Sequence, residues 1–247
     1  MDENKIRLFS EYLKESGSAV FFGGAGVSTE SGVKDFRSTD GLYNTVKDYG
    51  ISPEEILSHH FLFENPDIFY DFYYRFFLSE TAKPNPAHLA LAKLEQDGRL
   101  QGVITQNIDD LHQQAGSRNV MELHGTARTF YCSRCLKPFP VEQVEALKGK
   151  VPLCPHCGGL IRPKVTLYEE ALDETVVEKA IRALSDADLL IVGGTSLAVY
   201  PAAAYLQYFR GNHIVLINRD ETPLDTRADL IFREPIGQVM TALLKEL

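Results

Sequence analysis

Four thiols stand in two close pairs, Cys132 with Cys135 and Cys154 with Cys157. The two residues inside each pair let both sulfurs reach one metal ion, and the gap between the pairs falls within the range of a four-cysteine zinc site. Sulfur at all four positions leaves the ion no open place for water or substrate. The zinc is therefore predicted to brace the chain and to stand away from any reaction. Two disulfides, or four ordinary buried thiols, are the alternatives. Pro138, Pro140, Pro152 and Gly158-Gly159 suit a looped ribbon with little core of its own. Arg134, Lys137, Arg162 and Lys164 lie near enough in sequence to offset the charge of four thiolates.

The remaining polar clusters each follow a short apolar run. Residues 19–22 lead into Gly23-Gly24-Ala25-Gly26, with Ser28 and Thr29 just beyond; residues 103–105 lead into Gln106-Asn107-Ile108-Asp109. Residues 120–123 precede His124-Gly125, residues 189–192 precede Gly193-Gly194-Thr195-Ser196, and residues 214–217 precede Asn218-Arg219-Asp220. Glycines at 24 and 26 allow close backbone approach to a diphosphate, and the hydroxyls of Ser28 and Thr29 can donate to it. Thr29 occupies the place of the third glycine of the common dinucleotide fingerprint, and no acidic residue ends the next strand, so an ordinary dehydrogenase is disfavoured. Asp35-Phe36-Arg37 offers a flat ring and a permanent cation beside the phosphates, or simply a surface ion pair. The amides and carboxylate of Gln106, Asn107 and Asp109 can orient a ribose and a carboxamide-bearing ring, and Asp109 can equally cap a helix. His124 presents the side chain best matched to taking a proton near neutral pH. A lone histidine would more often be structural, but convergence of so many strand ends turns the reading toward chemistry.

Those ends need a scaffold. Ile6, Phe9 and Leu13 recur at helical spacing; Asn65-Pro66 and Asn85-Pro86 read as helix starts, and further helices are expected over 173–185 and 201–209. Alternation of strands and helices predicts an α/β fold, a doubly wound parallel sheet of Rossmann-like type, with ligands beyond the carboxyl ends of its strands and a smaller zinc-binding domain attached. The expected division is 1–126 with 164–247 as the large dinucleotide-binding domain, carrying a helical insert near 51–78, and 127–163 as a zinc ribbon. The uncharged stretch 189–206 is broken by its glycines and by Pro201, so it is not read as a membrane span.

At 247 residues with 44% hydrophobic content the chain can bury a substantial core, and a net charge of −9 argues against a grip on nucleic-acid phosphates. A basic protein tail is a compatible partner. The start Met1-Asp2-Glu3 lacks the pattern of a signal peptide, and reduced thiols fit a cytoplasmic location.

Taken together, these motifs resemble the sirtuins, the NAD-dependent protein lysine deacylases, in their bacterial type, from about residue 6 to residue 247. The resemblance rests on Gly24-Ala25-Gly26-Val27-Ser28 with Ser31-Gly32 and Asp35-Phe36-Arg37, on Thr105-Gln106-Asn107-Ile108-Asp109 with Leu111-His112, on His124-Gly125, on both cysteine pairs, and on Gly194-Thr195-Ser196-Leu197 with Pro201. It implies a transferase that consumes NAD as a co-substrate, releasing nicotinamide and moving the acyl group of an acyl-lysine protein onto ADP-ribose. By that likeness Phe36, Ile108 and Asp109 hold nicotinamide, Gln106 and Asn107 position the ribose, and His124 draws a proton from a ribose hydroxyl. Ala25, Thr29, Arg37, Thr195, Ser196, Asn218, Arg219 and Ile236 match positions lining the dinucleotide. Val165, Thr166, Tyr168 and Glu169, with Leu197 and Val199, match the substrate-binding strands. Lys34 replaces the family's usual proline, and Glu169 its usual glycine, which adds a carboxylate suited to peptides with nearby lysine or arginine. Phe72 and Arg75 take the places of a tyrosine and arginine found in members that remove acidic acyl groups, so neutral acyl groups such as acetyl are expected. Protein mono-ADP-ribosylation is the rival enzymatic reading, and a non-catalytic zinc-ribbon binding module the rival from another class.

Overall fold

The computed structural model describes residues 1–34, 49–78 and 82–247. Apolar residues in β1 (Ala19–Gly23), β2 (Gly102–Thr105), β7 (Leu189–Gly193) and β8 (His213–Ile217) are buried almost without alternation, as a sheet covered on both faces requires. With β3 (Val120–Glu122) and β9 (Leu230–Phe232) they form a parallel sheet of order β3-β2-β1-β7-β8-β9. The strand β9 was not foreseen from the sequence, because three residues carry too little periodicity to register.

One face is closed by the helices Glu3–Glu15, Pro86–Gln96 and Ile236–Glu246, which bring Phe9, Leu13, Leu91, Leu94, Val239 and Leu243 onto Phe21 and Val215. The other is closed by the helix Glu174–Asp186 and the 3-10 segment Ala202–Tyr208, through Ala180, Leu184 and Leu206 against Val20, Leu190 and Leu216. Each fully buried side chain of this size contributes about 1.5–3 kcal/mol. Asp2 and Asp173 start their helices by accepting N–H bonds, whereas Asn65 caps nothing with its side chain despite the Asn-Pro pair. No helix among the described residues is long and apolar enough to cross a membrane.

A second, antiparallel sheet orders β5 (Pro138–Pro140), β4 (Gly125–Cys132) and β6 (Ile161–Val165). The short helices over 53–73 and the π-turn after them, read from the sequence as an insert of the large domain, pack their apolar face on this small sheet. Tyr73 stacks on Phe69 at 5.6 Å and meets Phe130 edge-on at 6.0 Å. Tyr73 and Tyr74 donate to the carbonyls of Ala127 and Val144 at 3.2 and 3.1 Å, and Tyr70 donates to that of Ile161. The small sheet thus shares an aromatic core, most of which comes from residues distant in sequence, in keeping with a ribbon that has little core of its own.

Between the two sheets the chain passes directly from β3 through Leu123 and His124 into β4. Gly125 has φ +73, and a Cβ there would sit 2.1 Å from the Lys164 carbonyl oxygen, so only glycine fits. His124 is therefore held where the two sheets meet.

Candidate active site

The carboxyl ends of β1 and β7, where strand order reverses, face one cleft. Gly26 N–H donates to Gly194 O at 2.8 Å, and a Cβ on Gly26 would lie 2.8 Å from Gly194 Cα. The immediate work of these glycines is to let the two loops touch, which leaves the backbone of both lining the cleft.

Below that surface lies a buried polar network. Ser28, fully buried, donates to Asp109 Oδ2 at 2.7 Å and accepts from Asn107 Nδ2 at 3.0 Å. The hydroxyl has one proton, already given to the carboxylate, so His88 Nε2, at 3.4 Å, must donate to Ser28 Oγ; His88 Nδ1 then accepts the Asn85 N–H at 3.3 Å. Leu111 N–H donates to Asp109 Oδ1 at 3.0 Å. Burial pushes the Asp109 carboxyl up, and its bonds from Ser28 and Leu111 pull it back. Burial also drives His88 down to about 4. His112, 4.7 Å from His88 between ring centres, falls to about 3 through burial and then through that neighbour. Both ring nitrogens of His112 are buried without a hydrogen-bond partner among the described residues, and the ring packs as an aromatic against His88 and Phe21.

Nearer the opening, Gln106 Nε2 donates to Thr195 Oγ1 at 3.1 Å and Asn107 N–H to Thr105 Oγ1 at 3.0 Å. The Gln106 carbonyl accepts from His124 Nδ1 at 2.8 Å. A carbonyl cannot donate, so Nδ1 carries the proton and Nε2 keeps its lone pair, with no hydrogen bond among the described residues. Burial lowers the His124 imidazole and the bond to Gln106 raises it, with burial the larger effect, so the neutral base is favoured.

The cleft has a volume of about 1140 Å³, above the roughly 300–1,000 Å³ of ordinary small-molecule pockets, and so has room for a dinucleotide and a side chain together. It is lined by Gly24, Ala25, Gly26, Ser28, Thr29, Gln106, Asn107, Ile108, Asp109, His124, Gly194, Thr195, Ser196, Asn218, Arg219 and Ile236, and on the other side by Val165, Thr166, Tyr168, Glu169 and Val199. Leu197 stands apart. At φ +57 its side chain turns into the core beside Ala202 and Leu206 and does not line the cleft. Asp35, Phe36 and Arg37 lie outside the described residues. Phe72 is fully buried, and Tyr73, Phe76 and Phe77 form the cleft wall from its segment.

His88 and His112 were missed as members of the site. The signal was present for His88: Asn85-Pro86 read as a helix start puts residue 88 at the third helical position, whose side chain returns to the cap, and the structure shows this capping box. On the outer wall, the Thr166 N–H donates to the His124 carbonyl at 3.0 Å, tying the segment that leads from β6 to Glu169 to the catalytic corner. Arg162, expected beside the thiols, instead makes a two-pronged contact with Glu170 and donates to the Val165 carbonyl at 2.9 Å. Burial raises the Glu170 carboxyl, but Arg162, His59 and the Leu167 N–H together hold it down at about 2. Of the four basic residues, Arg134 reaches the thiol cluster: its guanidinium donates to Cys157 O at 2.8 Å and its N–H to Cys132 Sγ at 3.4 Å.

A model described as the Sir2 family matches residues 24–201. The chain belongs to the Sir2 family. An NAD-dependent protein deacetylase of Clostridium acetobutylicum is 48% identical over 241 residues, 98% of each chain. A Sir2 structure with a deacetylated p53 peptide and 3'-O-acetyl ADP ribose superposes with a TM-score of 0.90 at 39% identity, covering 98% of both chains. A Sir2 structure with a p53 peptide and NAD+ gives 0.87 at 39% identity, again over 98% of both. The match to this sirtuin thus spans both sheets and the cleft between them.

Proposed function

We propose that this sirtuin is an NAD-dependent protein lysine deacetylase, acting on acyl-lysine peptides laid across the cleft and, with one water consumed, releasing free lysine, nicotinamide and O-acyl-ADP-ribose. One observation carries the assignment of roles: His124 is half-buried, fixed through Nδ1 to the Gln106 carbonyl, and left with a free Nε2 in a cleft lined by the glycine loop and by Asn107 and Asp109. When bound, NAD would supply an electrophilic ribose carbon, with nicotinamide as the leaving group, for the acyl oxygen. His124 Nε2 takes a proton from a ribose hydroxyl. Asn107 and Gln106 orient that sugar, while Ile108 and Asp109 receive the carboxamide ring. Thr29, Thr195, Ser196, Asn218, Arg219 and Ile236 line the rest of the dinucleotide path, and Val165, Thr166, Tyr168, Glu169 and Val199 the peptide path. The residues fit this cofactor because the glycine contacts keep side chains out of the floor where backbone must face phosphates.

The six-stranded sheet with its helices then serves as the dinucleotide-binding unit. The small sheet with the helices of 51–78 serves as the second unit. Cys132, Cys135, Cys154 and Cys157 hold one structural zinc: their sulfurs lie within 4.8 Å of one another, with Cys132–Cys157 at 3.4 Å and Cys135–Cys154 at 3.7 Å. Tetrahedral zinc with bonds of about 2.3 Å spaces its sulfurs by about 3.8 Å. With Phe72 buried in place of a cleft tyrosine, acetyl is preferred to succinyl. A cytoplasmic setting, where the thiols stay reduced, belongs to the same reading.

The test is release of nicotinamide from NAD with and without an acetyl-lysine peptide, with mass spectrometry of the products. Peptide-dependent release, free lysine, and a fall of about 10²–10⁴ in kcat/KM for His124→Ala are expected. Mass added to the peptide in place of free lysine would convert the reading to ADP-ribosyl transfer.

A further inference from the structure

At the outer end of the peptide wall, Glu169 stands at φ +75, a backbone region that glycine adopts freely and glutamate does not. Its carboxylate does not point into open solvent alone. Oε2 accepts the His60 N–H at 3.2 Å and Oε1 faces His60 Nδ1 at 2.8 Å, while His60 Nε2 faces Glu55 Oε1 at 3.0 Å. Ser58 Oγ, whose own proton goes to the Glu55 carbonyl, also lies 3.1 Å from His60 Nδ1. Both ring nitrogens therefore face acceptors, so both donate, and the ring is an imidazolium. The other charged groups packed here are already committed: His59 to Glu170, and Glu170 to Arg162. Main-chain bonds run alongside, from His59 N–H to Tyr168 O and from Tyr168 N–H to Leu57 O, each 3.0 Å.

Resting on the deacetylase reading of this cleft, we propose that His60 is a positioning residue for the peptide substrate: its charged ring clasps Glu169 to Glu55 and so holds the end of the substrate strand in the conformation a glycine would take unaided. Its favoured charged form, set first by the bond to Glu169 and then by that to Glu55, places the imidazole above its ordinary 6.5. The clasp is thus complete at lower pH and opens as pH rises through the folded value. Glu55, Glu169 and His60 are 51%, 50% and 40% exposed, which keeps the effect moderate.

The experiment measures the Kd of a fluorescent acetyl-lysine peptide, with KM for peptide and for NAD and kcat, in wild type, His60→Ala, Glu169→Gly and the double variant, at about pH 6 and about pH 9. His60→Ala is expected to weaken peptide binding about three- to tenfold at the lower pH, with kcat and the NAD KM unmoved. Wild type should lose a similar factor at the higher pH. The double variant should match Glu169→Gly, since glycine needs no clasp. An unchanged peptide Kd in His60→Ala, or a full His60 effect surviving in the Glu169→Gly background, overturns the proposal. His60→Gln covers any folding defect of the alanine variant, and a pH dependence retained in it is equally fatal. A wild type that binds the peptide but turns nothing over refutes the deacetylase reading while leaving the clasp to be judged on Kd; one that binds no peptide refutes both.

Discussion

His88 and His112 lie beneath the floor of the cleft with their rings 4.7 Å apart and almost no solvent contact, whereas His59 and His60 stand near its rim with 50% and 40% of their side chains exposed. The Asp109 carboxylate reaches His88 only through a serine hydroxyl, while on the rim each imidazole touches a glutamate directly. Desolvation wins in the floor and the rings are neutral; direct pairing wins on the rim for His60 and the ring is charged. The same split runs through the two halves of the molecule. The large sheet, closed by apolar helices on both faces, covers a polar network built on neutral imidazoles and one hydrogen-bonded carboxylate, and the small sheet side is secured by thiols and the Arg162–Glu170 pair as well as its aromatic core.

That contrast breaks first, and hardest, at the thiols. Structural zinc contributes on the order of 10 kcal/mol to the domain that holds it. Chelation is expected to expose the amides of β4, β5 and β6 to hydrogen exchange while β1, β2, β7 and β8 stay protected, and plasma mass spectrometry should find one zinc per chain. Uniform loss of protection over both sheets would erase the distinction between the halves.

Next is Arg162, 5% exposed and paired with Glu170. Arg162→Met strands a carboxylate in a partly buried position and should cost about 3–5 kcal/mol in urea unfolding. Because the folded Glu170 pKa is depressed, to about 2, the pair's contribution is present above the ordinary 4.5 and lost as pH falls toward 2. The floor histidines are depressed too, so they also stabilise at higher pH: their contribution is whole above 6.5 and drains as pH falls toward about 4 for His88 and about 3 for His112. For His88 this is on the order of 3 kcal/mol. As pH is lowered from about 7 to about 4, the melting temperature should therefore fall more steeply for wild type than for His88→Gln, and parallel curves would show that His88 is not a buried neutral ring. Smallest is Ser28→Ala, expected to cost about 1–3 kcal/mol by leaving the donors of Asn107 and His88 unmatched, with a loss of nicotinamide release at saturating peptide that His60→Ala does not share.

The strand ends were legible because a buried parallel strand is a short apolar run, and the residue after it must leave the sheet near the cleft. The runs before Gly24, Gln106, His124, Gly194 and Asn218 thus announced both the sheet and the cleft wall. The thiol spacing was equally local. The affiliation of residues 51–78 was not, since an aromatic helix face reads the same whichever sheet it covers, and here Phe130 and Ile161, far along the chain, decide it. Leu197 illustrates the same limit in one residue: its neighbours line the cleft and its own left-handed backbone turns it inward.

By itself, then, the sequence determined which chemistry is present: an imidazole, amides, hydroxyls and thiols at spacings set by covalent geometry and by strand and helix periods. Tertiary structure alone decided which proton state is favoured at His60, His88, His112 and His124. An imidazole's charge depends on what surrounds it within a few ångströms, and for His60, His88, His112 and His124 those surroundings come from segments that meet only when the chain is folded.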